Sequence, residues 1–135
     1  MSKRSYFVCS IGQPEKGYDE ENLTRCIVNN CFVLNEYNKY KGSIDEVKPN
    51  DILILKYKQS FIGYGRAVSS LQTDIDMSNG EDWSWRIDVN LWIMGNHISR
   101  YGIKDAQESG SPYDTVKKIE RDFALNKIEE IGFPF

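Results

Sequence analysis

A chain of 135 residues, 40% of them hydrophobic and 13% aromatic, has enough apolar material for one self-sufficient core, so a single domain over 1–135 is expected. Its net charge of −3 does not announce a polyanion binder; such a function requires basic residues gathered on one face and an affinity that falls with salt. No run approaches the ~18 apolar residues of a membrane span, and Met1-Ser2-Lys3-Arg4 leads into a strand-like segment without a signal-peptide core, so a cytoplasmic location is expected.

Tyr6 to Ile11 reads as a first strand, ended by the breaker-rich loop Gly12 to Gly17. Asp19 starts a helix, with Glu20 and Glu21 favourable to the dipole of its first turn. Leu23, Cys26 and Ile27 form its apolar stripe, and Asn29-Asn30 is a plausible stop, since Asn tolerates the left-handed conformation. Cys31 to Leu34 follows as a strand. The polar stretch from Asn35 to Lys48 has no strong period. Pro49-Asn50-Asp51 is turn chemistry, and Ile52 to Leu55, apolar on both faces, suits a central strand. After a turn at Lys58-Gln59-Ser60, residues Phe61 to Val68 return as a hairpin partner. Gly63 and Gly65 share one face of it and mark a bend or another backbone passing close.

All three tryptophans lie between Gly80 and Met94. The second half of that stretch alternates, with Trp85, Ile87, Val89, Leu91 and Ile93 on one face and Arg86, Asp88, Asn90, Trp92 and Met94 on the other, which predicts one continuous strand with Trp92 turned towards a helix. The first half is a polar loop carrying Trp83, and a large aromatic on a loop is costly to expose and useful against a flat ligand. Near the C-terminus, Ser111-Pro112 reads as a helix start, with Val116, Ile119 and Phe123 on the buried side of a closing helix punctuated by Gly132 and Pro134. Cys9, Cys26 and Cys31, odd in number and without C-x-x-C spacing, read as free thiols packed as small hydrophobes. With a single histidine, His97 in a turn, no zinc site and no cofactor are expected.

Five or six strands, a helix after the first and another at the C-terminus give an α+β domain with a curled, partly closed sheet. That order resembles the YTH domain, within the PUA-like group that includes the EVE domains. The segment Tyr18 to Phe32 is similar to the family's acidic helix start and the strand after it; Trp83-Ser84-Trp85-Arg86-Ile87-Asp88-Val89 is similar to its tryptophan loop and following strand; Gly110 to Thr115 resembles the tail before its last helix. The resemblance implies a PUA-like, partly closed barrel and a non-catalytic reader of N6-methyladenine in nucleic acid. In it the base is flipped into an aromatic cage. Phe32 falls on the first cage position and Trp83 on a loop position of the cage, with Trp85 or Met77 as the third wall. The Val33 carbonyl accepts the methylated N6–H, Asn22 and Tyr18 address the base edge, and Lys16 and Arg86 contact phosphates. The family has tryptophan where this chain has Phe32, and a shorter loop than Gly12 to Gly17, departures that suit an EVE-like reader of 5-methylcytosine or 5-hydroxymethylcytosine. Methylated DNA is the favoured partner and RNA the alternative. Prokaryotic versions resemble the N-terminal recognition part of modification-dependent restriction enzymes, which implies associated motor and nuclease subunits. Two rivals are an ASCH-like RNA-processing enzyme, for which no coherent set of nucleophile, base and oxyanion donors is visible, and a module docking a peptide on its aromatic cluster.

Overall fold

The structure, a computed structural model, describes residues 4–11, 19–34, 41–57, 60–73, 85–95 and 115–132. Strand β1 (Tyr6–Ile11) leads to helix α1 (Asp19–Asn29) and strand β2 (Cys31–Leu34). Strands β3 (Ile52–Tyr57) and β4 (Ser60–Arg66) form a hairpin, followed by β5 (Trp85–Asp88), the short β6 (Ile93–Met94), β7 (Val116–Ile119) and helix α2 (Arg121–Ile131). No helix among these residues is long and apolar enough to cross a membrane.

Five strands form one sheet in the order β6-β4-β3-β1-β7, so the strand apolar on both faces, β3, is central as its composition requires. β1 and β3 run parallel, and the crossover that parallel neighbours need carries α1 and β2. The other pairs in the sheet are antiparallel. β2 and β5 form a second, antiparallel pair. The two sheets are stitched together where β4 runs on: the Val68 amide donates to the Asp88 carbonyl at 2.8 Å and the Asn90 amide to the Arg66 carbonyl at 2.9 Å. At the opposite edge Gly42 bridges Val116, with the Ser43 amide donating to the Val116 carbonyl at 2.6 Å. The result is an α+β domain with a curled sheet which, among the described residues, does not close into the expected barrel and has seven strands rather than five or six.

Alternation along the central strands creates two cores. Phe7, Cys9, Leu53 and Leu55 face the larger one, with Cys26 of α1, Phe32 of β2, Ile87 of β5 and Trp92. Val8 and Ile54 face the smaller one, closed by Ala124 and Ile131 of α2 and by Phe61, whose ring meets Phe123 edge-on at 6.3 Å. Two left-handed asparagines stand where chain direction changes: Asn30 (φ 48°) ends α1 as expected, and Asn50 (φ 80°) turns into β3. The buried Asp51 carboxylate secures that turn by accepting from the Lys48 and Ser5 amides, each at 2.9 Å.

Two expectations are overturned. Val116 and Ile119 belong to β7, not to the closing helix, which begins at Arg121. Their spacing of three mimics a helical stripe. On a strand, however, it places them on opposite faces, and both faces of this sheet are covered: Val116 enters the larger core and Ile119 the smaller. The tryptophan strand also stops early. It ends at Asp88, the chain bends at Asn90, and only β6 resumes pairing, with β4. Leu91 is thereby 58% exposed, whereas Trp92 is buried and its indole N–H donates to the carbonyls of Cys26 (3.1 Å) and Cys31 (3.0 Å), the helix contact expected of it.

The bend needs Gly65. A Cβ there would meet Val89 Cγ1, would lie 2.9 Å from the Leu91 carbonyl oxygen and would crowd the Trp92 ring; at Gly63 it would lie 2.8 Å from the Ile93 carbonyl oxygen. The paired glycines therefore mark another backbone passing close. Gly65→Ala is expected to lower unfolding free energy by about 1–3 kcal/mol through overpacking, read as a drop in the urea midpoint. An unchanged midpoint would mean that the 89–92 segment yields.

Candidate nucleic-acid interface

The β2–β5 pair positions the predicted readers. Val33 lies opposite Arg86, and Arg86 exchanges both its backbone hydrogen bonds with Gln72 on its other side, at 2.8 Å each. Val33 and Arg86 are therefore a pair without mutual backbone bonds, so Val33, itself 0% exposed, turns its N–H and C=O away from β5 and towards α1. Helix α1 meets both. Asn22 and Cys26 lie four residues apart on one helix face: the Asn22 side-chain amide donates to the Val33 carbonyl at 3.3 Å, and the Val33 amide donates to Cys26 Sγ at 3.4 Å. Two predicted base readers, Asn22 and the Val33 carbonyl, are thus in direct contact. Asn22 is buried, 7% exposed, and its buried Oδ1 has no hydrogen-bond partner among the described residues. A carbonyl oxygen has two acceptor sites and Asn22 fills one of Val33's, so two acceptor positions remain side by side, both enclosed in the free chain as Phe32 is.

The other predicted residues divide. Phe32 lies beside Val33 but is 0% exposed, enclosed in the larger core, and offers no surface to a ligand as it stands. Trp85 is half-buried at the start of β5, and Lys41 holds its ammonium 4.2 Å from the centre of the ring. Arg86 pairs with Asp88 at 2.5 Å, and Asp88 also accepts from Gln72 Nε2 (2.8 Å) while its amide donates to Ser69 Oγ (2.9 Å). Arg86 thus sits in a polar network. Lys16, Tyr18, Met77, Trp83 and His97 lie outside the described residues, as does the predicted helix start at Ser111-Pro112.

A feature missed in the sequence is a cleft of about 540 Å³ between the start of β1 and the β7–α2 junction, lined by Arg4, Lys117, Lys118 and Arg121 with a single acid, Glu120. It gathers basic residues from the two ends of an acidic chain, and it is separate from the Asn22–Val33 contact. The only signal in the sequence was Lys117-Lys118 beside Arg121, whose partner Arg4 is remote.

All three cysteines are free and buried. Burial pushes Cys26 up to about 12 and Cys31 up to about 11, with Cys9 also raised, so none is a thiolate nucleophile at neutral pH. Because these folded values lie above the ordinary ~8.5 of an unfolded thiol, the stability they contribute is complete below that value and is lost as pH rises through it towards the folded values. The urea midpoint is expected to be lower at pH 10 than at pH 7 and iodoacetamide to label the native protein slowly at pH 8; rapid native labelling would contradict the burial.

No protein-family model matches the chain, and no curated protein matches it in sequence. Several solved structures share its fold. Protein Atu2648 from Agrobacterium tumefaciens superposes with a TM-score of 0.63 at 12% identity, over 96% of this chain and 94% of that one. The MmI1 YTH domain gives 0.60 at 14% identity over 94% of each chain. The YTH domain of the Zygosaccharomyces rouxii MRB1 protein, solved in complex with N6-methyladenosine RNA, gives 0.59 at 15% identity over 96% of this chain and 88% of that one. Over nearly its whole length, the chain has the α+β fold of YTH domains.

Proposed function

We propose that this chain is a non-catalytic reader of a modified nucleobase in nucleic acid, N6-methyladenine first among them. The observation that carries this reading is the buried Asn22 amide on the Val33 carbonyl, with Asn22 Oδ1 buried and, among the described residues, unpartnered, in a chain with the fold of a domain solved with N6-methyladenosine RNA. The cleft of Arg4, Lys117, Lys118 and Arg121 supports it by supplying the gathered positive charge that the net charge of the chain withholds.

N6-methyladenine is neutral, so its recognition rests on stacking and on burial of one methyl group. Stacking contributes ~1–3 kcal/mol per base and is nearly blind to methylation. Burying the methyl adds about 0.8 kcal/mol, only some fourfold in affinity. Stronger discrimination comes from leaving the second N–H of unmethylated adenine without a partner in a dry pocket, a penalty of roughly 1–3 kcal/mol. In this reading Trp83 supplies the stacking wall, while the Val33 carbonyl and Asn22 carry base identity. Phe32, enclosed in the free chain, holds β2 in place behind them. Lys16 and the basic cleft meet phosphates. Extracting a base costs a few kcal/mol, so single-stranded or easily opened sites are preferred. In its finer form the reading makes methylated DNA the partner and target choice by a restriction system, with motor and nuclease subunits, the purpose.

One observation favours a second base. The Val33 carbonyl and Asn22 Oδ1 are adjacent acceptors, and the exocyclic amine of a 5-methylated cytosine has two N–H donors where N6-methyladenine has one. Reading N6-methyladenine requires the Asn22 amide to present its N–H to the ring nitrogen instead. Titration of the protein with short single- and double-stranded oligonucleotides carrying N6-methyladenine, 5-methylcytosine, 5-hydroxymethylcytosine or no modification separates the two. Tighter binding of the N6-methyladenine strand, lost at least tenfold in a folded Trp83→Ala variant, is the expected result. Equal binding of all strands would refute a reader of any of these bases.

A further inference from the structure

Trp85 is the one tryptophan ring among the described residues that is only half-buried, and it already carries a guest: the Lys41 ammonium, 4.2 Å from the ring centre. The arrangement is built. Lys41 precedes Gly42, which takes a left-handed φ of 66° and bridges Val116 of β7, and the Ser43 amide donates to the Val116 carbonyl at 2.6 Å. The segment that delivers Lys41 is therefore pinned to the strand whose next two residues, Lys117 and Lys118, line the basic cleft. On its other side Trp85 adjoins Arg86, the residue opposite Val33. Trp85 thus stands between two tethers: its strand neighbour Arg86 lies opposite Val33, and its ring partner Lys41 precedes the residues bound to β7.

We propose that the Trp85 ring is the stacking platform for the nucleobase next to the modified one, that Lys41 occupies this ring while nucleic acid is absent, and that the displaced ammonium then meets the phosphate beside that base. This rests on the reader function proposed above and assigns Trp85 to a neighbouring subsite rather than to the cage. A cation over a partly exposed indole is a weak contact, whereas a stacked base is a stronger one that tolerates any base identity, so a strand held at Asn22 and Val33 displaces the lysine. The ammonium exchanges a ring face for a phosphate oxygen and is at no stage left without a partner. The subsite adds affinity for a strand over a free nucleoside and leaves the choice of modification to Asn22 and Val33.

The test uses the full chain with N6-methyladenosine as a free nucleoside, a trinucleotide with N6-methyladenine in the middle, and the same trinucleotide with each flanking base replaced in turn by an abasic linker. Removing one of the two flanking bases is expected to weaken binding to the native protein about tenfold, but to weaken binding to Trp85→Leu less than twofold. Lys41→Gln is expected to bind the nucleoside as the native protein does and to bind the trinucleotide several-fold more weakly, with the slope of log affinity against log salt smaller by about 0.7. The proposal is overturned if Trp85→Leu loses as much as the native protein on abasic replacement, or if Lys41→Gln leaves the salt slope unchanged. Should Trp85→Leu fail to fold, the Lys41→Gln salt slope decides alone. A native protein that binds neither nucleoside nor trinucleotide with any modification would remove the reader function itself, an outcome distinct from intact binding that ignores Lys41.

Discussion

Trp92→Ala is expected to lower the unfolding free energy by about 4 kcal/mol, among the largest effects of any single substitution in this chain. The side chain is buried in the larger core, and truncating it leaves a cavity that α1, β2 and the 89–92 segment cannot all close. Its indole N–H also bridges the Cys26 carbonyl in the last turns of α1 and the Cys31 carbonyl at the start of β2. That donor holds the helix end against the strand on either side of the left-handed Asn30. Trp92→Phe separates the two contributions: it keeps most of the buried ring, removes the donor, and is expected to cost about 1–2 kcal/mol. Urea midpoints of the two variants check both figures. A Trp92→Ala unfolding free energy within about 1 kcal/mol of the native value would contradict the assigned role.

The architecture around Trp92 shows how far the sequence reaches. Its outward register relative to Ile87 and Val89 indicated packing on a helix, and it packs there. The alternation beyond Asp88 nevertheless suggested an unbroken strand, because a period-two pattern does not reveal that Asn90 bends the chain or that Gly65 opens room for Leu91 and Trp92. Val116 and Ile119 misled for a related reason: in a sheet covered on both faces, three-residue spacing buries both residues as well as a helix would. The resemblance of the α1–β2 segment singled out Asn22 and Val33, and the structure shows them in contact because helix and strand are joined directly at Asn30. The basic cleft and the Lys41–Trp85 contact were not legible. Each joins residues far apart in the chain: the β1–β7 pairing brings Arg4 to Lys117 and Lys118, and Lys41 meets Trp85 across more than forty residues.

Asn22→Ala is expected to separate stability from recognition. The substitution removes one hydrogen bond to the Val33 carbonyl, but it also removes a buried oxygen that has no partner. Losing a satisfied group costs roughly as much as losing an orphaned one gains, so the unfolding free energy is expected to change by less than about 1 kcal/mol. Binding is another matter. If Asn22 addresses the edge of the base, its loss leaves a buried polar group of the ligand unpaired. That penalty of about 1.4–3 kcal/mol is a tenfold or greater fall in affinity for the preferred strand. The selectivity between modified bases should fall with it, since Trp83 stacking is indifferent to base identity. Urea denaturation and fluorescence anisotropy on the same preparation measure the two effects. A variant that is destabilised yet binds as well as the native protein would make Asn22 a structural residue alone.

The proposal that Asn22 and Val33 form the edge of a base pocket is tested most directly by nuclear magnetic resonance of the Asn22 side-chain amide during titration with N6-methyladenosine. This amide, bonded at the outset to the Val33 carbonyl, is expected to shift and to saturate with the affinity measured for the nucleoside, while adenosine moves it little. An Asn22 amide that stays in place while the nucleoside binds elsewhere would contradict it.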